Sequence, residues 1–338
     1  MYRSLSIENF RLFDRLKVEP LSRITLIAGE NNVGKTALLE ALWLLSRPSH
    51  ALDAPRAIRR RGVRGGEQEG LFESLFFNYE TGLLIGLEAE NQAGNGGVSL
   101  TIKCQPRKER SLVDWSNESD TEFENASTNV VDFDSELVFQ HTDESGHNYR
   151  TTAWIEAETK TGMPQTVVKQ DTFPSSTSNR PCEFESPGKR HGARSLAALF
   201  GRAQMGNYVP QIEKAVRLLE PRLQRLEVIT DRRGTPEIHA DIGIERPFPI
   251  SVMGEGTKSL LALVLSFMKA KDGLLLVDEI ENGIHYSKLP EVWNTIERLS
   301  REFNVQVFAT THSYECVKAA HAAFKHAELD DDFSLMRF

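Results

Sequence analysis

Eight residues, Gly29-Glu30-Asn31-Asn32-Val33-Gly34-Lys35-Thr36, stand between an apolar run, Ile24-Thr25-Leu26-Ile27-Ala28, and a string of strong helix formers from Ala37 to Leu45 that Pro48 closes. A buried strand that enters a glycine turn and leaves it as a helix constrains the fold more than any other feature of the chain. The spacing is G-x-x-x-x-G-K-[ST], in which glycines let the backbone wrap and successive N–H groups at a helix start face an anion. Lys35 reaches the β and γ oxygens of a triphosphate, and the Thr36 hydroxyl is a ligand for Mg²⁺. Gly29, Asn31, Asn32, Val33, Gly34, Lys35, Thr36 and Ala37 are therefore read as the cradle of ATP.

A second apolar run, Leu274-Leu275-Leu276-Val277, ends in Asp278-Glu279, the Walker B form. A fully buried strand carries Asp278 to the carboxyl edge of a sheet beside the metal, and Glu279 polarises the attacking water. About 20 residues earlier, Ser251-Val252-Met253-Gly254-Glu255-Gly256 opens the apolar helix Leu260 to Met268 and offers a second helix N-terminus to a phosphate. Later, the strand Val305 to Ala309 runs through Thr310 and Thr311 into His312.

Composition sets the class around these motifs. In 338 residues, 40% hydrophobic and 26% charged is the balance of a soluble globular chain. A net charge of −8 argues against a general polyanion binder and leaves nucleic acid only to local patches, of which Arg56, Arg59, Arg60, Arg61 and Arg64 form the one candidate. Cys104, Cys182 and Cys316 have no metal or disulfide spacing, and no apolar stretch is long enough for a membrane span, so a reducing, cytoplasmic setting is expected.

The start reads as a strand hairpin, Leu5 to Phe13 with Leu16 to Val18, and residues 71 to about 160 as short antiparallel strands with an acidic middle from Asp114 to Glu124. From Ala193 the apolar spacing is helical, through Ile212, Val216, Leu219, Leu223 and Leu226. Helix and strand then alternate to a last strand, Phe333 to Phe338, as in an α/β core. Asp330-Asp331-Asp332 before it is read as a solvated acidic turn, not a metal site.

Phosphate loop, Ser-x-x-Gly-Glu-Gly, Walker B and a histidine after the next strand, in that order, resemble the ABC-type ATPases of the SMC-like and RecF-like group. Asn9-Phe10-Arg11 ahead of the loop is typical of that group. Asn-Asn-Val-Gly-Lys-Thr, Gly-Glu-Gly and Asp278-Glu279-x-Glu281-Asn282-Gly283-x-His285 are most similar to the OLD-like ATP-binding proteins of bacterial anti-phage systems.

The resemblance implies an α/β fold: a P-loop NTPase head of ABC type with a RecA-like core, a β-rich antiparallel lobe and a helical signature lobe. It divides a single head, 1–338, into 1–50 (hairpin, Walker A strand and helix), 51–190 (β-rich lobe), 191–270 (helical signature segment) and 271–338 (Walker B, D-loop and switch histidine). It also implies that Ser251, Gly254, Glu255 and Gly256 serve the nucleotide of the other subunit, that residues 281–285 are the D-loop crossing the interface, that His312 bonds the γ-phosphate or water, and that Arg11 reaches the nucleotide. Lys35, Glu279 and His312 are then the catalytic set, Thr36 and Asp278 the Mg²⁺ ligands, and a homodimer or higher homo-oligomer the assembly.

Departures from the family pattern are Ile280, where proline is usual, and the lack of a clear Q-loop, since neither Gln140 nor Gln170 has the right context. No Toprim nuclease domain is expected after His312, so nuclease chemistry is assigned to a separately encoded partner. Three readings stay open on the residues: an ATPase that regulates a defence effector, a RecF-like repair ATPase gripping DNA through the arginine cluster, and a nucleotide-gated scaffold with little turnover.

Overall fold

The computed structural model describes residues 1–46, 72–92, 96–107, 135–157, 164–170, 180–187, 189, 191–326 and 332–338. The chain opens with the hairpin β1 (Tyr2–Phe10) and β2 (Phe13–Val18), then β3 (Ile24–Ala28) and α1 (Lys35–Leu45). A meander follows: β4 (Leu84–Asn91), β5 (Gly97–Pro106), β6 (Ser135–Thr142), β7 (Asn148–Ala157) and β8 (Pro164–Gln170). Next come β9 (Cys182–Glu185), α2 (Ala193–Met205), α3 (Val209–Val216), β10 (Arg225–Thr230), β11 (Pro236–Asp241) and β12 (Phe248–Pro249). The last third holds α4 (Glu255–Lys269), β13 (Leu274–Val277), α5 (Leu289–Glu302), β14 (Gln306–Thr311), α6 (Tyr314–His326) and β15 (Phe333–Arg337).

Two large sheets are built from these strands. The first is antiparallel, in the order β2-β1-β4-β5-β6-β7-β8; the second is parallel, in the order β15-β3-β14-β13-β9. Buried on both faces, the central strands of the parallel sheet read as continuous apolar runs, which is why the sequence shows Ile-Thr-Leu-Ile and Leu-Leu-Leu-Val instead of alternation. Their side chains still divide by face: Ile27, Leu274, Leu276 and Phe308 enter the core shared with α1, while Ile24, Leu26, Leu275, Val277, Val307 and Ala309 enter the core shared with α4, α5 and α6.

Helix α1 lies between the two sheets, and its apolar residues join β1, β4 and β5 on one side and β9, β13 and β14 on the other. With both flanks covered it needs no polar face, and Leu38, Leu39, Leu42 and Leu45 are each 0–1% exposed. At about 2 kcal/mol per buried leucine, this packing outweighs the intrinsic helix preference of so short a segment.

The structure corrects the reading of residues 191–270 as a helical segment. Pro221 follows α3 and cannot continue a helix, and Leu226 belongs to β10, which with β11 and β12 makes a three-stranded antiparallel sheet. The strands also cross the expected divisions: the β1–β2 hairpin joins the antiparallel sheet of the β-rich region, whereas β9 leaves that region to pair with β13. Short strands of four residues carry too little periodicity to show which sheet they join.

Candidate active site

All five strands of the parallel sheet point the same way, so β3, β14 and β13 end on one edge, where Gly29, His312 and Asp278 follow them. The phosphate loop leaves β3 with Asn32 and Gly34 at positive φ, 64° and 102°. A side chain on Gly34 would also stand 2.7 Å from the Phe13 ring, so both backbone and packing demand glycine there. No side chain caps the start of α1, which leaves its first N–H groups turned to the loop. The Lys35 ammonium folds back to donate to the carbonyls of Gly29 (2.8 Å) and Glu30 (2.5 Å).

Asn31, Asn32, Gly34, Lys35, Thr36 and Ala37 line a cleft of about 1240 Å³ with Arg11, Asp278 and Glu279. Of the remaining cradle residues, Gly29 ties the loop to β14 by donating its N–H to Thr311 O (3.3 Å), and the Val33 side chain lies against Gly29. Arg11, in left-handed backbone at the hairpin turn, turns its guanidinium to the Glu40 carboxylate of α1 (3.1 Å) and the Ser74 carbonyl (3.0 Å).

At the end of β13, Thr36 Oγ1 donates to Asp278 Oδ2 at 3.0 Å, and Thr310 Oγ1 donates to Asp278 Oδ1 at 2.6 Å. Thr310 Oγ1 also accepts the N–H of Glu279 (2.9 Å), which holds Glu279 at φ 50°. Sequence reasoning passed over Thr310, although a hydroxyl at the end of a buried strand beside a carboxylate pair was a signal. A hydroxyl and a carboxylate are the hard oxygen donors that Mg²⁺ takes. Among the described residues no group of three or more His, Cys, Asp or Glu could hold a metal alone, so such an ion would depend on phosphate and water for its other ligands.

Ile280 occupies the family's proline position and donates its N–H to Thr310 O (3.1 Å), a bond proline could not form. Beyond it, Glu281 accepts from the His312 N–H (3.1 Å) and faces the half-exposed His312 ring at 3.4 Å. The same carboxylate, after burial itself, helps push the Cys316 thiol up to about 12.

Ser251, Gly254 and Glu255 are exposed at the uncapped start of α4, but Gly256 is buried. A side chain on Gly256 would stand 2.2 Å from Gly283 O, so this glycine seats the signature helix on residues 281–285. Ser251 and Glu255 open into a different cleft from the phosphate loop, with Glu185 and His191 on its far wall, and the two clefts share Asp278, Glu279, Ser186 and Pro187.

Glu185 was not foreseen. Its backbone oxygen accepts the Asp278 N–H (2.8 Å), and its buried carboxylate takes bonds from Lys189 (2.6 Å), His191 (2.7 Å) and Ser266 of α4 (2.6 Å). Burial would raise this carboxyl; the His191 bond and the Lys189 charge outweigh it and hold it below its usual value. Gln140 lies exposed in β6 and Gln170 ends β8, both in the antiparallel sheet, while the strand beside β13 runs into Ser186. Asp332 pairs with Arg301. Arg56 to Arg64, Asp114 to Glu124, Asp330 and Asp331 lie outside the described residues.

A glycine loop at an uncapped helix start, a Walker B pair on the same sheet edge and a signature helix beside it define an ATPase with a P-loop head of ABC type. The chain belongs to the AAA ATPase domain family, whose model matches residues 1–190; a second model, "AAA domain, putative AbiEii toxin, Type IV TA system", matches residues 175–317. Among relatives, it is 23% identical to an ATP/GTP phosphatase of Helicobacter pylori over 94% of this chain and 87% of that one. It is 32% identical to the DNA replication and repair protein RecF of Clavibacter sepedonicus over 31% of this chain and 26% of that one. A solved structure of an SMC head bound to the C-winged helix domain of ScpA shares the fold, with TM-score 0.50, 14% identity and coverage of 94% and 91%. The chain is thus an AAA-family ATPase whose fold is similar to that of an SMC head. No described helix is long and apolar enough to cross a membrane.

Proposed function

We propose that this ATPase closes on ATP as a homodimer, each nucleotide lying between one copy's phosphate loop and the other copy's signature helix, and that the dimer regulates a separate effector in anti-phage defence. The placement of the two motifs supports this reading: within one chain, Lys35 lines one cleft and Ser251 the adjoining one, with Asp278 and Glu279 where the two meet. A second copy would bring the two motifs together.

In this arrangement Lys35 leaves the carbonyls of Gly29 and Glu30 for the β and γ oxygens, an exchange of neutral acceptors for charged ones. Thr36 and Asp278 would hold Mg²⁺, which would supply positive charge against the phosphate oxygens. Glu279, fixed through its backbone to Thr310, orients the attacking water, and His312 meets the γ-phosphate with its ring set by Glu281. The match of residues 175–317 to the "AAA domain, putative AbiEii toxin" family supports an effector role, and RecF, matched over 31% of the chain, supports the DNA-repair alternative less broadly.

The test is Glu279→Gln with saturating ATP. Turnover should fall by about 10²-fold or more, and light scattering should report a dimer that the nucleotide-free protein does not form. A monomer under both conditions would sink the sandwich.

A further inference from the structure

We infer that the short segment Phe77–Tyr79 is the base-binding platform of the nucleotide cleft, with Tyr79 as the stacking surface for a purine; this rests on the reading of that cleft as the nucleotide site. The segment is an irregular tight turn that follows the 3-10 turn Glu73–Leu75. The residues just before it, Ser74 to Phe76, are tied to the β1–β2 hairpin at three points: Phe76 bridges Phe10, the Arg11 N–H donates to Leu75 O (2.8 Å), and the Arg11 guanidinium donates to Ser74 O (3.0 Å). Leu75 and Phe76 are buried beneath it, at 0% and 2% exposure.

On this anchored base the chain does something costly. Asn78 and Tyr79 both take left-handed backbone, φ 51° and 61°, which a bulky aromatic residue rarely adopts. The outcome is a tyrosine 70% exposed, at the wall of the cleft that Asn31, Lys35 and Thr36 also line. Leu12, 59% exposed on the hairpin turn, gives the same cleft a second apolar wall. A loop that cradles phosphates binds the charged end of a nucleotide and says nothing of the base. An exposed ring on a fixed turn beside it meets the remaining need, because nucleobases stack on aromatic faces, and a purine offers the larger surface. The Asn78 amide, which also lines the cleft, carries both a donor and an acceptor, so it can serve the edge of either purine.

Calorimetry with ADP, GDP, CDP and inorganic pyrophosphate on the full chain tests this without turnover. Tyr79→Ala should weaken ADP and GDP about tenfold, weaken CDP less and leave pyrophosphate unchanged, while Tyr79→Phe keeps wild-type affinity. Unchanged ADP affinity overturns the platform, as does an equal loss for pyrophosphate, which would mean that the turn merely shapes the phosphate loop. Loss of ATP-dependent dimers at saturating nucleotide would overturn it in favour of a subunit contact. If wild-type protein binds neither ADP nor pyrophosphate, the nucleotide reading itself fails instead.

Discussion

Thr310 makes one hydroxyl serve two neighbours, donating to Asp278 and accepting from the Glu279 backbone. Its own side chain is fully buried, while Asp278 and Glu279 are half-buried where the two clefts meet. Thr310→Val keeps the shape of the side chain and removes both bonds. We expect ATP turnover to drop about 10- to 100-fold with nucleotide affinity within about threefold of wild type, since the change disturbs the placement of the carboxylates and leaves the loop alone. Equal turnover in the variant would show that Asp278 and Glu279 hold their positions unaided. Residues of this sort are hard to read from sequence. Lys35, Thr36 and Asp278 announce themselves by spacing, whereas Thr310 and Glu185 matter through which strands lie beside β13, and strand order is not written in any local pattern.

Among the elements, α4 and the residues that follow β13 act as a pair. Gly256 and Gly283 meet backbone to backbone, with Gly283 itself at φ 74°. Gly256→Ala would drive a methyl group into a carbonyl with no flexible atom to yield, and should cost about 1–3 kcal/mol, read as a lowered midpoint in chemical denaturation. Gly254→Ala, where a side chain would meet open space, is the control and should leave the midpoint near wild type. The Gly-Glu-Gly motif stood out in the sequence, but the different settings of its two glycines did not, because one glycine faces solvent and the other faces a loop about 27 positions away in the chain.

For the molecule as a whole, the sequence disclosed the α/β core, the meander and the hairpin, since apolar runs and alternation are local signals. It concealed the sheet β10-β11-β12, whose Leu226 carries the apolar spacing of α3 on past Pro221, and the crossing of β9 into the core. Global stability should carry one pH signature of this packing. His141 is buried with Nε2 at 3.2 Å from Leu45 O, and desolvation, opposed by that hydrogen bond and by Asp143, pushes its pKa down to about 4. The unfolded chain binds the proton near pH 6.5 and the fold refuses it until about pH 4, so stability is full above that window and falls as pH drops through it. Between pH 7.5 and 5 the wild type should lose about 2 kcal/mol more than His141→Gln; parallel curves for the two proteins would count against a neutral buried imidazole.

The order β3-β14-β13 has one more effect. The strand that carries the lysine loop and the strand that carries the carboxylates are separated by a single intervening strand, so their ends stand two hydrogen-bonding intervals apart, about 9.5 Å. That distance is measured out by main-chain amides, which no side-chain substitution can lengthen. The sheet is in this sense a ruler: mutations in the motifs change what is gripped at its two marks, while the gauge between the marks belongs to the backbone.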